Sequence, residues 1–135
     1  MELIDKLHRN MPPFMKYLGI ELVSAEKDRI EARMLAREEL DNSYGVLHGG
    51  AYMAFADYLG GLGTQLNLPR GAGTTTIESK TNFFRPMPIG GIVTGVGTAL
   101  HKGRRTMVWQ TQLTNADGKL LALVSQTQMV FPAET

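Results

Sequence analysis

The feature that most limits what this chain can fold into is a long stretch almost free of charge. Between Ser43 and Pro69 the only formal charge is Asp57. Residues 48–66 predict the main helix, with apolar or small side chains on every side of it. A helix that is apolar all round is buried in a core or against a partner. A membrane span wants about 20 predominantly apolar residues. Here His48, Asp57, Gln65, Asn67 and several glycines interrupt the run, so a buried helix is the better reading.

The rest of the chain supplies what such a helix needs around it. Residues 2–10 place Leu3, Ile4 and Leu7 at helical spacing and predict a short amphipathic helix that ends near Pro12 and Pro13. Residues 20–36 alternate apolar and polar positions on both sides of Lys27-Asp28 and predict a hairpin. Residues 37–47 and 67–73 read as loops. Four strand-like runs follow: Thr74–Phe84, Ile92–Leu100, Thr106–Thr114 and Leu120–Phe131. Their order predicts a meander, with Asn115-Ala116-Asp117-Gly118 as one of its turns. The fold class is therefore α+β, an antiparallel sheet wrapped around one long central helix. No repeat or linker divides the chain, so residues 1–135 read as a single domain.

Composition narrows the function classes. Hydrophobic residues at 43% and charged residues at 20% exclude a disordered chain. Fourteen Lys+Arg against 13 Asp+Glu leave a net charge of +1, which supports neither a nucleic-acid nor a polybasic membrane partner. Cysteine is absent, which removes disulfides, thiolate metal sites and a thiol nucleophile. The start, Met1-Glu-Leu-Ile-Asp-Lys-Leu, has no apolar core of a signal peptide, and a cytoplasmic address is expected.

Two features carry chemistry. Asp57 is flanked by Met53, Ala54, Phe55, Ala56, Tyr58, Leu59 and Leu62. An unpaired carboxylate there is costly to bury. It is either a capped or salt-bridged structural group or part of a site. The second feature is Gly45-Val-Leu-His48-Gly49-Gly50 at the helix start. Glycines there expose backbone N–H groups that suit a developing oxyanion, although they also serve close packing. His48 beside them is a candidate donor to a carbonyl; a lone His is a poor metal ligand. Gly49 and Asp57 lie eight residues apart, about 12 Å along a helix. A base and an oxyanion hole must each stand about 3 Å from the reacting atoms. One helix does not supply both ends to one carbonyl. Two antiparallel copies do, across a two-fold dimer interface.

These residues resemble a known family. Asn42, Gly45, His48-Gly49-Gly50 and Asp57 match the N-x-x-G-x-x-H-G-G-x-x-x-x-x-x-D pattern of hotdog-fold acyl-CoA thioesterases, in the phenylacetate-degradation (PaaI-like) branch. Asn82-Phe-Phe-Arg85-Pro86 is similar to that family's N-F-x-R-P strand end, and His101-Lys-Gly-Arg104 to its h-x-G-R hairpin. The resemblance runs from Leu18 to about Phe131. It implies that Asp57 is the catalytic carboxylate, as general base on water or as nucleophile. It implies that the Gly49 amide binds the thioester oxygen, with His48 and Asn42 orienting the thioester. A Ser or Thr on the next strand holds water in some members; here Thr74, Thr75 and Thr76 compete, counting back from Arg85-Pro86 favours Thr76, and the loop length leaves Thr75 open. It implies a homodimer with antiparallel helices, alone or as a dimer of dimers in a tetramer.

The expected activity is hydrolysis of an acyl-CoA, with no metal and no cofactor, since coenzyme A is part of the substrate. Gly50, Arg85, Lys102, Arg104 and Arg105 are the candidates for holding coenzyme A, the basic ones by contact with its phosphates. A three-charge turn such as 102–105 is also simply a solvated hairpin tip. Met53 and Met87 are candidates for an acyl pocket. Two alternatives remain. One is a hotdog-fold enoyl-CoA hydratase or dehydratase, which needs an Asp/His pair. The other is a non-catalytic acyl-CoA-binding module.

Overall fold

The chain opens with two short helices where one was expected. In the computed structural model, which describes residues 2–133, α1 spans Glu2–Arg9 and α2 spans Pro13–Leu18. Met1, Glu134 and Thr135, which the single-domain reading also takes in, lie outside the described residues. The proline pair that ends α1 also starts α2. Pro13 occupies the first helical position, where a missing N–H leaves no bond unmade. Gly19 then stops α2 in the left-handed conformation, φ 76°, with its N–H on Lys16 O.

The other elements follow the sequence pattern closely. They are β1 (Glu21–Ala25), β2 (Arg29–Leu35), a 3-10 turn (Glu38–Leu40), α3 (Gly49–Gln65), β3 (Gly73–Phe83), β4 (Ile92–Lys102), β5 (Thr106–Thr114) and β6 (Leu120–Phe131). The strands form one antiparallel sheet of six, in the order β1-β2-β4-β5-β6-β3. The sheet curls around α3, which packs against β2 through β6. This is the α+β hotdog architecture. Phe55 and Leu59 of α3 are fully buried with Ile30, Val93, Trp109 and Leu113 of the sheet. Close approach depends on missing side chains. A Cβ on Gly95 of β4 would sit 3.0 Å from both Phe55 and Leu59. Among the described residues no helix is long and apolar enough to cross a membrane.

The four strands after α3 do not form the expected meander. β4, β5 and β6 follow one another, but β3 pairs with β6 at the far edge, and β4 pairs with β2. The cause lies in residues 84–91, which contain Pro86 and Pro88. Proline cannot donate to a ladder and keeps the preceding residue extended. The link runs on instead of turning back, and it is stitched to the segment before α3. Leu47 N–H donates to Met87 O at 2.8 Å, Ile89 N–H to Gly45 O at 3.0 Å, and Gly90 N–H to Ala36 O at 2.7 Å. Phe83, Phe84 and Arg85 are thereby carried past the first turn of α3.

Gly63, on the inner face of α3, meets the fully buried Trp109, whose ring a Cβ would overlap. A flat indole inside a packed core cannot yield. Gly63→Ala therefore destabilises the fold by about 1–3 kcal/mol despite alanine's better helix propensity. The midpoint of urea unfolding checks this.

Candidate active site

The sheet covers α3 incompletely. Phe55, Ala56 and Leu59 are buried, whereas Met53, Ala54, Asp57, Tyr58 and Gly61 stay partly open on the other side. Asp57 is half-buried there and is held by the sheet. Its Oδ1 accepts from the Thr76 hydroxyl at 2.5 Å and from Gln126 Nε2 at 3.3 Å. Gln126 Nε2 also lies 3.3 Å from the Asp57 carbonyl oxygen. Thr76 Oγ1 in turn accepts from Gln128 Nε2 at 2.6 Å, and Gln128 Oε1 accepts from Thr74 at 2.9 Å. Among the described residues both donors fall on Oδ1, which leaves Oδ2 open.

Strand geometry sets the threonines on different faces. Thr76 pairs with Gln128, whose side chain points inward, while Thr75 pairs with the outward Met129. The ladder slips between Thr76 and Glu78, a bulge directly after the residue that holds Asp57. Bulges re-aim side chains beside functional sites. A cavity of about 450 Å³ adjoins this group. Tyr58 lines it, and burial pushes the Tyr58 phenol above its ordinary 10.0, so it stays protonated at neutral pH.

The start of α3 is built differently. His48 is its N-cap, with φ −61° and ψ 136°, and its Nδ1 accepts the Gly50 N–H at 2.8 Å. That bond consumes the Gly50 amide and leaves Nε2 as the donor nitrogen of the ring. The Gly49 N–H has no acceptor among the described residues. The Phe83 ring stands over Gly49, so close that a Cβ there would meet it at 3.2 Å. Phe83 itself leans on Tyr52, with centroids 5.8 Å apart. Asn42 Oδ1 accepts the Tyr44 N–H at 2.8 Å, which leaves the Asn42 amide free to donate. Asn42, Gly49, Phe83, Phe84 and Arg85 line a cavity of about 320 Å³, separate from the one at Asp57.

Within one protomer the expected site residues thus form groups. Asp57 and Thr76 meet directly. Asn42, Gly49 and Arg85 share the second cavity, while His48 and Gly50 line a third with Phe14 and Tyr17. His48 and Asp57 line different cavities, so the Asp/His pair of a hydratase is not assembled in the protomer. The turn between β4 and β5 lies apart from both the Asp57 and Gly49 cavities. Lys102 is ion-paired to Asp28, and Arg104 and Arg105 flank a surface hollow with Met129 and Phe131. Arg85 Nη1 donates to Leu120 O at 3.0 Å. Neither Met53 nor Met87 lines the Asp57 cavity; Met15 of α2 does.

Sequence reasoning missed Gln126, Gln128 and Phe83. The two glutamines, 1% exposed, sit in phase with the buried Ala122, Val124 and Val130 of β6. Amides at inward positions of an otherwise apolar strand were the available signal. The His48 cap carries its own expectation. His48→Ala leaves the Gly50 N–H without its partner and costs about 1 kcal/mol, whereas His48→Asn retains most of it. Urea unfolding of the two variants measures the difference.

Comparison with known proteins places this geometry. The pattern of the thioesterase superfamily matches residues 44–122. A thioesterase from Haemophilus influenzae has the same fold, with TM-score 0.91 and 29% identity over 98% of this chain and 92% of that one. The 1,4-dihydroxy-2-naphthoyl-CoA hydrolase of Listeria monocytogenes is 28% identical over 78% of this chain and 85% of its own length. A Streptococcus mutans protein, solved bound to acetyl CoA, is 25% identical at TM-score 0.79, over 86% of this chain and 91% of that one. With the hotdog sheet, the His48-Gly49-Gly50 helix start and a carboxylate eight residues beyond Gly49, the chain belongs to the thioesterase superfamily as a PaaI-like, thioesterase-type hydrolase.

Proposed function

We propose that the substrate is an acyl-CoA and that the working unit is a homodimer, itself paired into a tetramer, whose active sites each draw on both protomers. One observation carries the reading. Asp57 is pinned through a single oxygen beside one cavity, while the free Gly49 amide opens into another. The eight residues between them span about 12 Å of helix. An antiparallel partner helix brings the Gly49 end of one protomer to the Asp57 of the other. The open face of α3 supports such a partner, and so does β3, an edge strand of 11 residues. Long bare edges are templates for pairing.

The chemistry follows from the atoms left free. Oδ2 of Asp57 takes a proton from water or attacks the thioester carbonyl directly. The Thr76 hydroxyl donates its hydrogen bond to Asp57 and accepts one from Gln128, so its remaining lone pair accepts from the water. The Gly49 N–H of the opposite protomer stabilises the oxyanion. The Asn42 amide and His48 Nε2 orient the thioester. Phe83 and Phe84 wall the pantetheine path and Arg85 keeps donors for a phosphate, while Gly50 lines a separate cavity beside His48. Arg104 and Arg105, without an ion pair among the described residues, are the other phosphate candidates; Lys102 is less free because Asp28 holds it. The thiolate of coenzyme A leaves readily, so the reaction calls on no metal or cofactor. The expected address is the cytoplasm, where coenzyme A thioesters are formed. The names of the Listeria and Streptococcus relatives support a coenzyme A thioester as substrate.

Two variants test the reading. Asp57→Asn lowers kcat on a panel of aryl and fatty acyl-CoA by roughly 100-fold or more with the fold intact. Gly49→Pro deletes the amide at the first helical position, where its N–H is not needed by the helix; the exposed Phe83 ring must give way to admit it, the urea midpoint confirms that the variant folds, and kcat falls by roughly 100- to 1,000-fold. Mixing the two inactive proteins and allowing exchange restores about a quarter of wild-type activity. About half the dimers are then mixed, and each holds one intact site of two. Full activity of Asp57→Asn removes the carboxylate from the mechanism, and no recovery on mixing removes the shared site.

A further inference from the structure

The cavity at Asp57 extends further than a thioester carbonyl requires. Asp57, Gly61 and Gln65 all line it, and their four-residue spacing sets them along one face of α3. Gln65 therefore lies about 12 Å beyond Asp57. Gly61 leaves the floor between them open, since a Cβ built on it meets no atom within 4 Å. Leu62 adds apolar surface beside it, and the N-terminal segment contributes Leu7, Asn10 and Met15. That segment anchors to the core through Met11, Met15 and Leu18 of its second half, while Ile4 and Leu7 of α1 only lean against it. α1 has no buried residue and is fastened to β1 by His8, whose Nε2 accepts the Leu22 N–H at 3.0 Å. Asn10 and Gln65 are both exposed, so their side-chain amides are open to a ligand.

We propose that this channel holds the acyl group, and that it selects acyl groups bearing a hydroxyl or similar hydrogen-bonding substituent near their far end. The proposal rests on the thioesterase reading above. An extended chain advances about 1.2 Å per bond, so the distance from Asp57 to Gln65 accommodates about ten bonds. A cavity of about 450 Å³ is of the size that small-molecule sites use. Leu7, Met15 and Leu62 hold the apolar part of the chain. Gln65 and Asn10 meet the substituent. Gly61 sets the bore, because any side chain at that position projects into the path.

The test is a ratio of kcat/KM values, measured with acetyl-CoA, decanoyl-CoA and 10-hydroxydecanoyl-CoA as probes. Gly61→Leu lowers the decanoyl-to-acetyl ratio by tenfold or more. Gly61→Ala, which the surrounding space admits, lowers it by less. Gln65→Leu and Asn10→Leu each lower the hydroxydecanoyl-to-decanoyl ratio by about tenfold. Urea midpoints confirm that the variants fold. Unchanged ratios, or equal losses on all three probes, overturn the channel while leaving the hydrolase standing. A wild-type protein that hydrolyses no acyl-CoA overturns the hydrolase reading itself.

Discussion

Everything in this fold depends on how one apolar helix is covered. α3 needs burial along its length, and a single curled sheet supplies it from one side only. The approach on that side is close, because Gly95 of the sheet and Gly63 of the helix carry no side chains where Phe55, Leu59 and Trp109 crowd in. The other side stays partly open, and that is where the lone carboxylate sits. A charge on the inner face would have no water, and no cation, to meet it. On the open face Asp57 keeps solvent at Oδ2 while Thr76 and Gln126 hold Oδ1. The position of the carboxylate and the coverage of the helix are one constraint seen twice.

The same helix is served by different elements at its two functional points. Near its middle, β3 and β6 deliver Thr76, Gln126 and Gln128. At its start, the proline-bearing link delivers Phe83, Phe84 and Arg85, because it passes the first turn of α3 on its way from the outer edge of the sheet to the centre. A meander would have left that end of the helix bare. The strand order that departs from the expected one is thus the order that builds a wall over Gly49.

Much of this was legible in the sequence. Element types and most boundaries follow from period-two runs and from one helix with a single charge, and β5 and β6 match their expected limits to the residue. The direct pairing of Thr76 with Asp57 agrees with counting back from Arg85-Pro86. What was not legible depends on long-range partners. Strand order is set by where the link between β3 and β4 is stitched, and those bonds go to Ala36, Gly45 and Leu47, far away in sequence. The role of a proline pair as a helix start depends on what the helix packs against. The acceptor role of His48 Nδ1 toward the Gly50 amide depends on the backbone turn at the helix start, which residue types alone do not reveal.

Gln126 and Gln128 show the cost of such a site and why it is retained. Both are buried on β6 where valine or leucine would pack without any demand for partners. Gln128 is satisfied by Thr74 and Thr76, and Gln126 donates to Asp57 while its buried Oε1 meets no partner among the described residues, so the cluster is a chain in which each member fixes the next. Removing one leaves another buried and unpaired, which costs more than the single bond lost. The network also aims the carboxylate. Because its donors converge on Oδ1, turning the side chain breaks those bonds, and Oδ2 is left without a protein partner. A carboxylate held by water alone would keep its charge and lose its direction. Two amides in a core strand are the price of that direction, and the bulge after Thr76 is the local adjustment that lets the edge strand reach it.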